Sequence, residues 1–151
     1  GGGAGHAGRV RRFLGGQPIP REQAWTMFLR QIGLWHHTGF GFWAIEHKAT
    51  GEFIGECGFQ ERLRNIAPSI EGTMETGWAL VSEMQGRGLA EEAVRAAIGW
   101  AAEHGTGDRL TAIIDPGHAA SLHVAGKLGF VEFARGGYGG KPVVLLERPR
   151  R

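Results

Sequence analysis

MQGRGLAEEAVRAAIGWAAEHG, Met84 to Gly105, sets two glycines around an arginine at the head of a helical pattern. From Leu89 the apolar residues Ala93, Ala96, Ala97 and Trp100 fall at i+4, i+7, i+8 and i+11, one stripe of an amphipathic helix, while Glu91 and Arg95 form an i,i+4 pair on the other side. A helix amino end collects unpaired N–H groups and a partial positive charge. A glycine-lined turn there, Gln85 to Ala90, can bring backbone donors close to a phosphate.

The flanking segments read outward from this helix. METGWALV, Met74 to Val81, is a strand running into the turn, and RLTAII after the helix is a short, continuously apolar strand suited to burial on both faces. DPGHAASLHVAGKLGF follows as a turn into a short helix that stops at Gly129, a residue suited to the left-handed C′ position. Upstream, GFGFWAIEH and GEFIGECGFQE are aromatic and β-branched runs joined by Lys48-Ala49-Thr50-Gly51, an antiparallel pair. A first helix begins at Pro20 and carries Ala24, Phe28, Ile32 and Trp35 at helical spacing. Residues 61–73, with Asn65, Pro68 and scattered charge, read as a surface loop. The chain closes with two strands around a glycine-rich turn in FVEFARGGYGGKPVVLLER. The order α, β, β, β, α, β, α, β, β predicts an α/β (α+β) fold, a mixed central sheet flanked by helices.

Three phosphate-binding motifs compete for the turn. A Walker-type loop needs Lys and then Ser or Thr after its second glycine, but Leu89 and Ala90 follow Gly88. A dinucleotide fingerprint places Gly86 and Gly88 correctly and then meets Glu91, whose bulk and charge oppose a pyrophosphate, although Asp115 at the end of the next strand suits a ribose. The third motif, Gln/Arg-x-x-Gly-x-Gly/Ala, is matched at each fixed place by Gln85-Gly86-Arg87-Gly88-Leu89-Ala90. In it, and in METGWALVSEMQGRGLAEEA, HAASLHVAGKLGF and GFWAIEHKATGEFIGECGF, the sequence resembles the GNAT superfamily of N-acetyltransferases, in the branch similar to the ribosomal-protein N-terminal acetyltransferases. The likeness covers nearly all of residues 20–148.

The resemblance implies a site. Backbone groups of Gln85, Gly86, Arg87, Gly88, Leu89 and Ala90 would hold the coenzyme A pyrophosphate, those of Trp78, Ala79, Leu80 and Val81 the pantetheine arm, and His118, Ser121 and Lys127 would add contacts from the later helix. Acetyl-CoA is then the cosubstrate, and no metal is implied. Two departures stand out. His118 occupies the family's usual Asn place and cannot both donate and accept as an amide does. The family's first strand and helix leading up to the region of RVRRFLGG are absent or replaced by a glycine arm.

The implied chemistry is attack of an amine on the acetyl thioester in a ternary complex. At pH 7, deprotonating a lysine-type amine of pKa about 10.4 costs about 4.6 kcal/mol, and an α-amine near 7.8 about 1 kcal/mol. A general base therefore matters most for the first kind of acceptor. Glu75 holds the family's position for it, and a purely structural carboxylate is the alternative. Ser121 is placed to return a proton to the leaving thiolate, or to cap its helix. Cys57 shares a strand face with Phe53 and Phe59 and reads as a core thiol. His36 and His37 suit a helix carboxyl end, Trp25, Trp35, Trp43 and Trp100 read as core, and Tyr138 as a pocket rim residue.

The bulk numbers bound these readings. A chain of 151 residues suits one domain, here 9–151, behind a loose arm over residues 1–8, of which five are glycine. No apolar run is long enough for a bilayer, and the lone cysteine excludes an internal disulfide, so a cytoplasmic protein is expected. The net charge of +2 comes with arginine-rich ends and no interleaved basic and aromatic residues, which argues against nucleic acid. The expected partners are a small-molecule amine or a protein N-terminal amine, with a homodimer left open. The rival function is a non-catalytic acyl-CoA-binding or regulatory domain.

Overall fold

A computed structural model describes residues 20–151, so the glycine arm over 1–8, which stands where the family's first strand and helix would lead up to RVRRFLGG, and RVRRFLGG itself lie outside the described residues. The described elements are α1 (Arg21–Thr38), β1 (Phe42–Glu46), β2 (Phe53–Gln60), β3 (Met74–Leu80), α2 (Leu89–His104), β4 (Arg109–Ile114), α3 (Ala119–Lys127), β5 (Val131–Tyr138) and β6 (Lys141–Pro149), with a single 3₁₀ turn at Ser82–Met84. This is the element order expected from periodicity. Six strands form one sheet in the order β1-β2-β3-β4-β6-β5. Only β3 and β4 run parallel; β1–β2, β2–β3, β4–β6 and β5–β6 are antiparallel. Pro20 stands just before the first residue of α1, and Gly129, at φ 86°, closes α3.

Strand alternation divides the core. On one face Cys57, Phe59, Met74, Leu110, Ala112, Ile114, Val144 and Leu146 pack beneath α2, through Val94, Ala97, Ile98 and Ala101, and beneath α3, through Ala125. Phe59, Met74 and Leu110 are fully buried, each contributing about 1.5–3 kcal/mol by burial. The stripe that α2 buries is rotated from the one expected. Ala96 is exposed and Leu89 half-buried, because the helix sits on the sheet along 94, 97, 98 and 101. On the opposite face Ile66 and Ile70, inside the segment read as a surface loop, are buried against Leu145. Segment 61–73 is thus irregular but part of the core.

α1 departs furthest from expectation. Ala24 is buried, but Trp25 and Ile32 are 58% and 52% exposed, so Trp25 is not a core residue. Trp35, Trp43 and Trp100 do pack together, with ring centroids 5.1 Å apart for Trp35–Trp43 and 5.0 Å for Trp43–Trp100. α1 also guards the edge of β1 that pairs with no strand among the described residues. Phe59 N–H donates to Gly41 O at 3.0 Å, so the backbone groups of Phe42 point outward by the antiparallel alternation. Gln31 Oε1 accepts from Phe42 N–H at 3.0 Å and Trp35 Nε1–H donates to Phe42 O at 3.2 Å. Side chains of α1 thus satisfy both outward backbone groups of Phe42. Among the described residues no helix is long and apolar enough to cross a membrane.

Candidate functional site

Parallel strands β3 and β4 pair only at Met74–Leu110 and Glu75–Thr111, and then separate. β3 runs on to Leu80 and β4 to Ile114, which opens a wedge in the middle of the sheet. Each strand leads at its carboxyl end into a helix whose amino end borders the wedge, α2 after β3 and α3 after β4. A crevice at the carboxyl ends of diverging parallel strands is where open α/β sheets hold ligands.

Pairing divides the four residues expected along the cofactor arm. Val81 N–H donates to Ile54 O at 2.8 Å, so Val81 is committed to β2 and is not a donor to the wedge. By the antiparallel alternation Ala79 also directs its backbone groups to β2, whereas those of Trp78 and Leu80 point toward the wedge. The Gln85 side chain donates to Leu80 O at 3.2 Å and ties the turn back to the strand.

Residues 85–88 of the turn are exposed. Gly86 and Gly88 adopt φ of 77° and 76°, the left-handed region that favours glycine. Gly88 is the N-cap of α2 and no side chain caps this end, which leaves first-turn N–H groups for a ligand. A Cβ on either glycine would meet nothing within 4 Å, so the space over the turn is open. Beside it an open groove of about 490 Å³ runs along Gly88, Glu91, Glu92, Arg95 and Ala96. The expected Glu91–Arg95 ion pair is present at 2.8 Å, which offsets the carboxylate nearest the turn. These residues fit a diphosphate.

At the other border of the wedge His118 is the N-cap of α3, and its Nδ1 accepts from Ser121 N–H at 3.1 Å. Imidazole thus performs the cap that was the alternative role for the Ser121 side chain. With Nδ1 accepting, the neutral ring carries its proton on Nε2 and can donate outward. Asp115, the residue that kept a dinucleotide reading open, accepts from Gly117 N–H at 2.7 Å and belongs to the turn. Lys127 is the last residue of α3, about 12 Å along the helix from its start. Its carbonyl accepts from Arg95 of α2 at 3.4 Å, which sets the carboxyl end of α3 beside the groove that Arg95 lines.

Glu75 is buried at the vertex of the wedge, on the face opposite α2, and both of its oxygens are engaged. Arg64 Nε donates to Oε1 at 2.6 Å, Arg64 Nη2 to Oε2 at 3.0 Å, and Gln60 Nε2 to Oε2 at 2.7 Å. The hydrogen bond to Glu75 raises the proton affinity of Arg64 above its ordinary value, against the opposing effect of burial. Arg64 also lies 4.7 Å over the Tyr138 ring, which makes the rim tyrosine its neighbour. Sequence reading missed Arg64 and Gln60. Gln60 is found as the cross-strand partner of Glu75 only when the register is known, and Arg64 lies in an irregular segment with no periodicity to aim it.

Cys57 is buried in the core beneath α2, as its strand face implied. Burial, reinforced by Glu56, pushes its thiol up to about 11, so the protonated form prevails far above neutrality. Native protein at pH 8 should resist iodoacetamide, and mass spectrometry should find the adduct only after denaturation. Stoichiometric labelling of the native chain would show the thiol to be accessible.

Wedge, uncapped helix and glycine turn together form an open crevice at the carboxyl ends of β3 and β4. The acetyltransferase (GNAT) domain family matches residues 5–131, and the chain belongs to that family. It is 33% identical over 111 residues to YkkB of Bacillus subtilis (strain 168), which covers 73% of this chain and 62% of YkkB. The chain therefore spans less than two thirds of that relative. A protein of Bordetella pertussis assigned to the GnaT acetyltransferase family superposes with a TM-score of 0.82 at 33% identity, over 97% of this chain and 87% of that one. RimL, a ribosomal L7/L12 α-N-protein acetyltransferase solved in complex with coenzyme A, has a TM-score of 0.75 at 17% identity over 98% and 88% of the two chains, a likeness of fold.

Proposed function

We propose that this domain, taken as residues 9–151, transfers the acetyl group of acetyl-CoA directly to a primary amine in a ternary complex. The observation that carries this reading is the uncapped, glycine-lined amino end of α2 at the mouth of the β3–β4 wedge. Acetyl-CoA supplies an activated acyl group on a thiolate leaving group. Backbone N–H groups from Gln85 to Ala90 hold its diphosphate, and the exposed Arg87 adds charge. Backbone groups of Trp78 and Leu80 align the pantetheine arm, while Ala79 and Val81 keep β3 anchored to β2. His118 donates through Nε2, and Lys127 contributes charge at the distal end of α3.

Ser121, in the first turn of α3, is the proposed proton donor to the thiolate. Glu75, the base suggested by position, has each oxygen occupied by Arg64 or Gln60. It would accept a proton only by giving up part of that fork, so its proposed part is to fix the wall of the acceptor side. The acceptor is a small amine or a protein N-terminal amine, the second being what RimL is described as acetylating. A cytoplasmic setting, where acetyl-CoA is abundant and a free thiol persists, belongs to the same reading.

The test is thiol release from acetyl-CoA with a panel of amines, beside melting shifts with CoA and with NAD. Amine-dependent release and stabilisation by CoA alone are expected. Tight CoA binding with no turnover by any acceptor would instead identify a non-catalytic acyl-CoA-binding domain, and stabilisation by NAD alone a dinucleotide site.

A further inference from the structure

α1 carries two stripes. One faces the body of the domain, with Ala24 buried and Phe28, Gln31 and Trp35 half-buried. The other runs Glu22, Trp25, Leu29, Ile32, His36, alternating steps of three and four residues that follow one line along a helix, and each of these five residues is exposed. Trp25, Leu29 and Ile32 are 58%, 46% and 52% exposed. A single apolar side chain at the surface needs no explanation, but three on successive turns, one of them an indole, form a patch of the kind that marks an interaction site. The indole is also held in place before any partner arrives. Trp25 stacks on Phe28 with ring centroids 5.9 Å apart and planes 28° from parallel, so little side-chain freedom is left to lose on docking.

The stripe complements itself. It ends in a carboxylate at the amino end of the helix, Glu22, and in an imidazole at the carboxyl end, His36. Laid antiparallel on a copy of itself about a two-fold axis at Leu29, the helix brings Glu22 opposite His36, Trp25 opposite Gly33 and Leu29 against its own copy. Gly33 is exposed, and a Cβ there would meet nothing within 4 Å, so bare helix backbone is free to receive the indole of the other copy. The opposed macrodipoles of an antiparallel pair add to the match. A parallel pair would instead set Glu22 against Glu22 and indole against indole.

We propose that α1 pairs antiparallel with α1 of a second copy of this chain, forming a two-fold homodimer on the Glu22-Trp25-Leu29-Ile32-His36 stripe. In such an isologous interface each feature is used twice, so one stripe supplies two indole contacts and two carboxylate–imidazole pairs around the central leucines. The proposal does not depend on the acetyltransferase reading. From Glu22 to His36 the stripe is about 21 Å long, a narrow strip at the small end of interfaces, and the dimer should dissociate in the micromolar range.

Sedimentation velocity of the full chain over a concentration series tests it, at about pH 6 where an ordinary imidazole carries charge. Wild type should pass from monomer to dimer as concentration rises. Leu29→Asp sets two carboxylates face to face on the axis and should stay monomeric throughout, while its melting temperature at low concentration matches that of wild type because the position is exposed. Glu22→Lys and His36→Glu each oppose like charges across the pair and should weaken association about tenfold. The double variant Glu22→Lys/His36→Glu restores opposite charges and should recover most of that loss, which no other register predicts. If Leu29→Asp fails to fold, the charge variants, at two exposed positions, decide alone. A wild type that is monomeric at every concentration overturns the proposal and gives the stripe to residues 1–19 or to another protein. A dimer that survives Leu29→Asp, or a double variant no tighter than the two singles, overturns it as well.

Discussion

Gly88→Asp should lower CoA affinity about 10³-fold while leaving the fold intact. Aspartate is among the residues that best tolerate a left-handed conformation, and a Cβ at Gly88 meets nothing within 4 Å, so the change meets modest backbone strain and no collision. A carboxylate at the head of a helix also favours the macrodipole. What changes is the charge facing a diphosphate. Two like charges about 4 Å apart at a near-surface dielectric repel by about 4 kcal/mol, which corresponds to roughly 10³ in binding. Calorimetric titration with CoA measures the affinity, and thermal melting of the free protein measures the fold. Gly88→Ala separates charge from backbone effects and should cost much less affinity than the aspartate. Equal affinities for wild type and Gly88→Asp would remove the turn from the cofactor site, and with it the proposed activity.

Arg64→Ala should destabilise the domain by about 3–5 kcal/mol, the range for breaking a buried ion pair on one side. The side chains of Arg64 and Glu75 are 12% and 6% exposed, so truncating the arginine leaves Glu75 charged, buried and held by Gln60 alone. For a chain of this size the melting temperature should drop by about 10 °C. The double variant Arg64→Met/Glu75→Gln removes both charges and should recover at least half of the loss, because the cost lies in the stranded carboxylate. Denaturant unfolding of the two singles and the double completes the cycle. A double variant no more stable than Arg64→Ala would mean that Arg64 acts through packing on Tyr138 rather than through its charge. Since Arg64 anchors segment 61–73 to β3, the single variant should also raise KM for the acceptor more than for acetyl-CoA.

Local chemistry made much of the molecule legible. Local sequence patterns located all nine principal elements of the described residues, and the Gln85–Ala90 hexapeptide placed two positive-φ glycines at the head of α2. These features depend on residues within a turn or two of one another, so the chain itself carries them. The capping role of position 118 was visible only as a departure from asparagine, and the imidazole that stands there caps α3 through Nδ1.

Other features needed distant segments to meet. The buried stripe of α2 follows 94, 97, 98 and 101 because helix rotation is set by the sheet beneath it, and a run of alanines gives little contrast to reveal it. Ile66 and Ile70 enter the core from an irregular segment, where no period assigns a face. Trp25 stays exposed although its residue type favours burial, since nothing within the described residues covers that side of α1. The amino-acid sequence by itself determined the order of elements, the glycine turn and the family, because each is written in short-range pattern. Tertiary structure alone decided that Glu75 is locked by Arg64 and Gln60, because strand register and loop path, not spacing along the chain, choose which charges become neighbours.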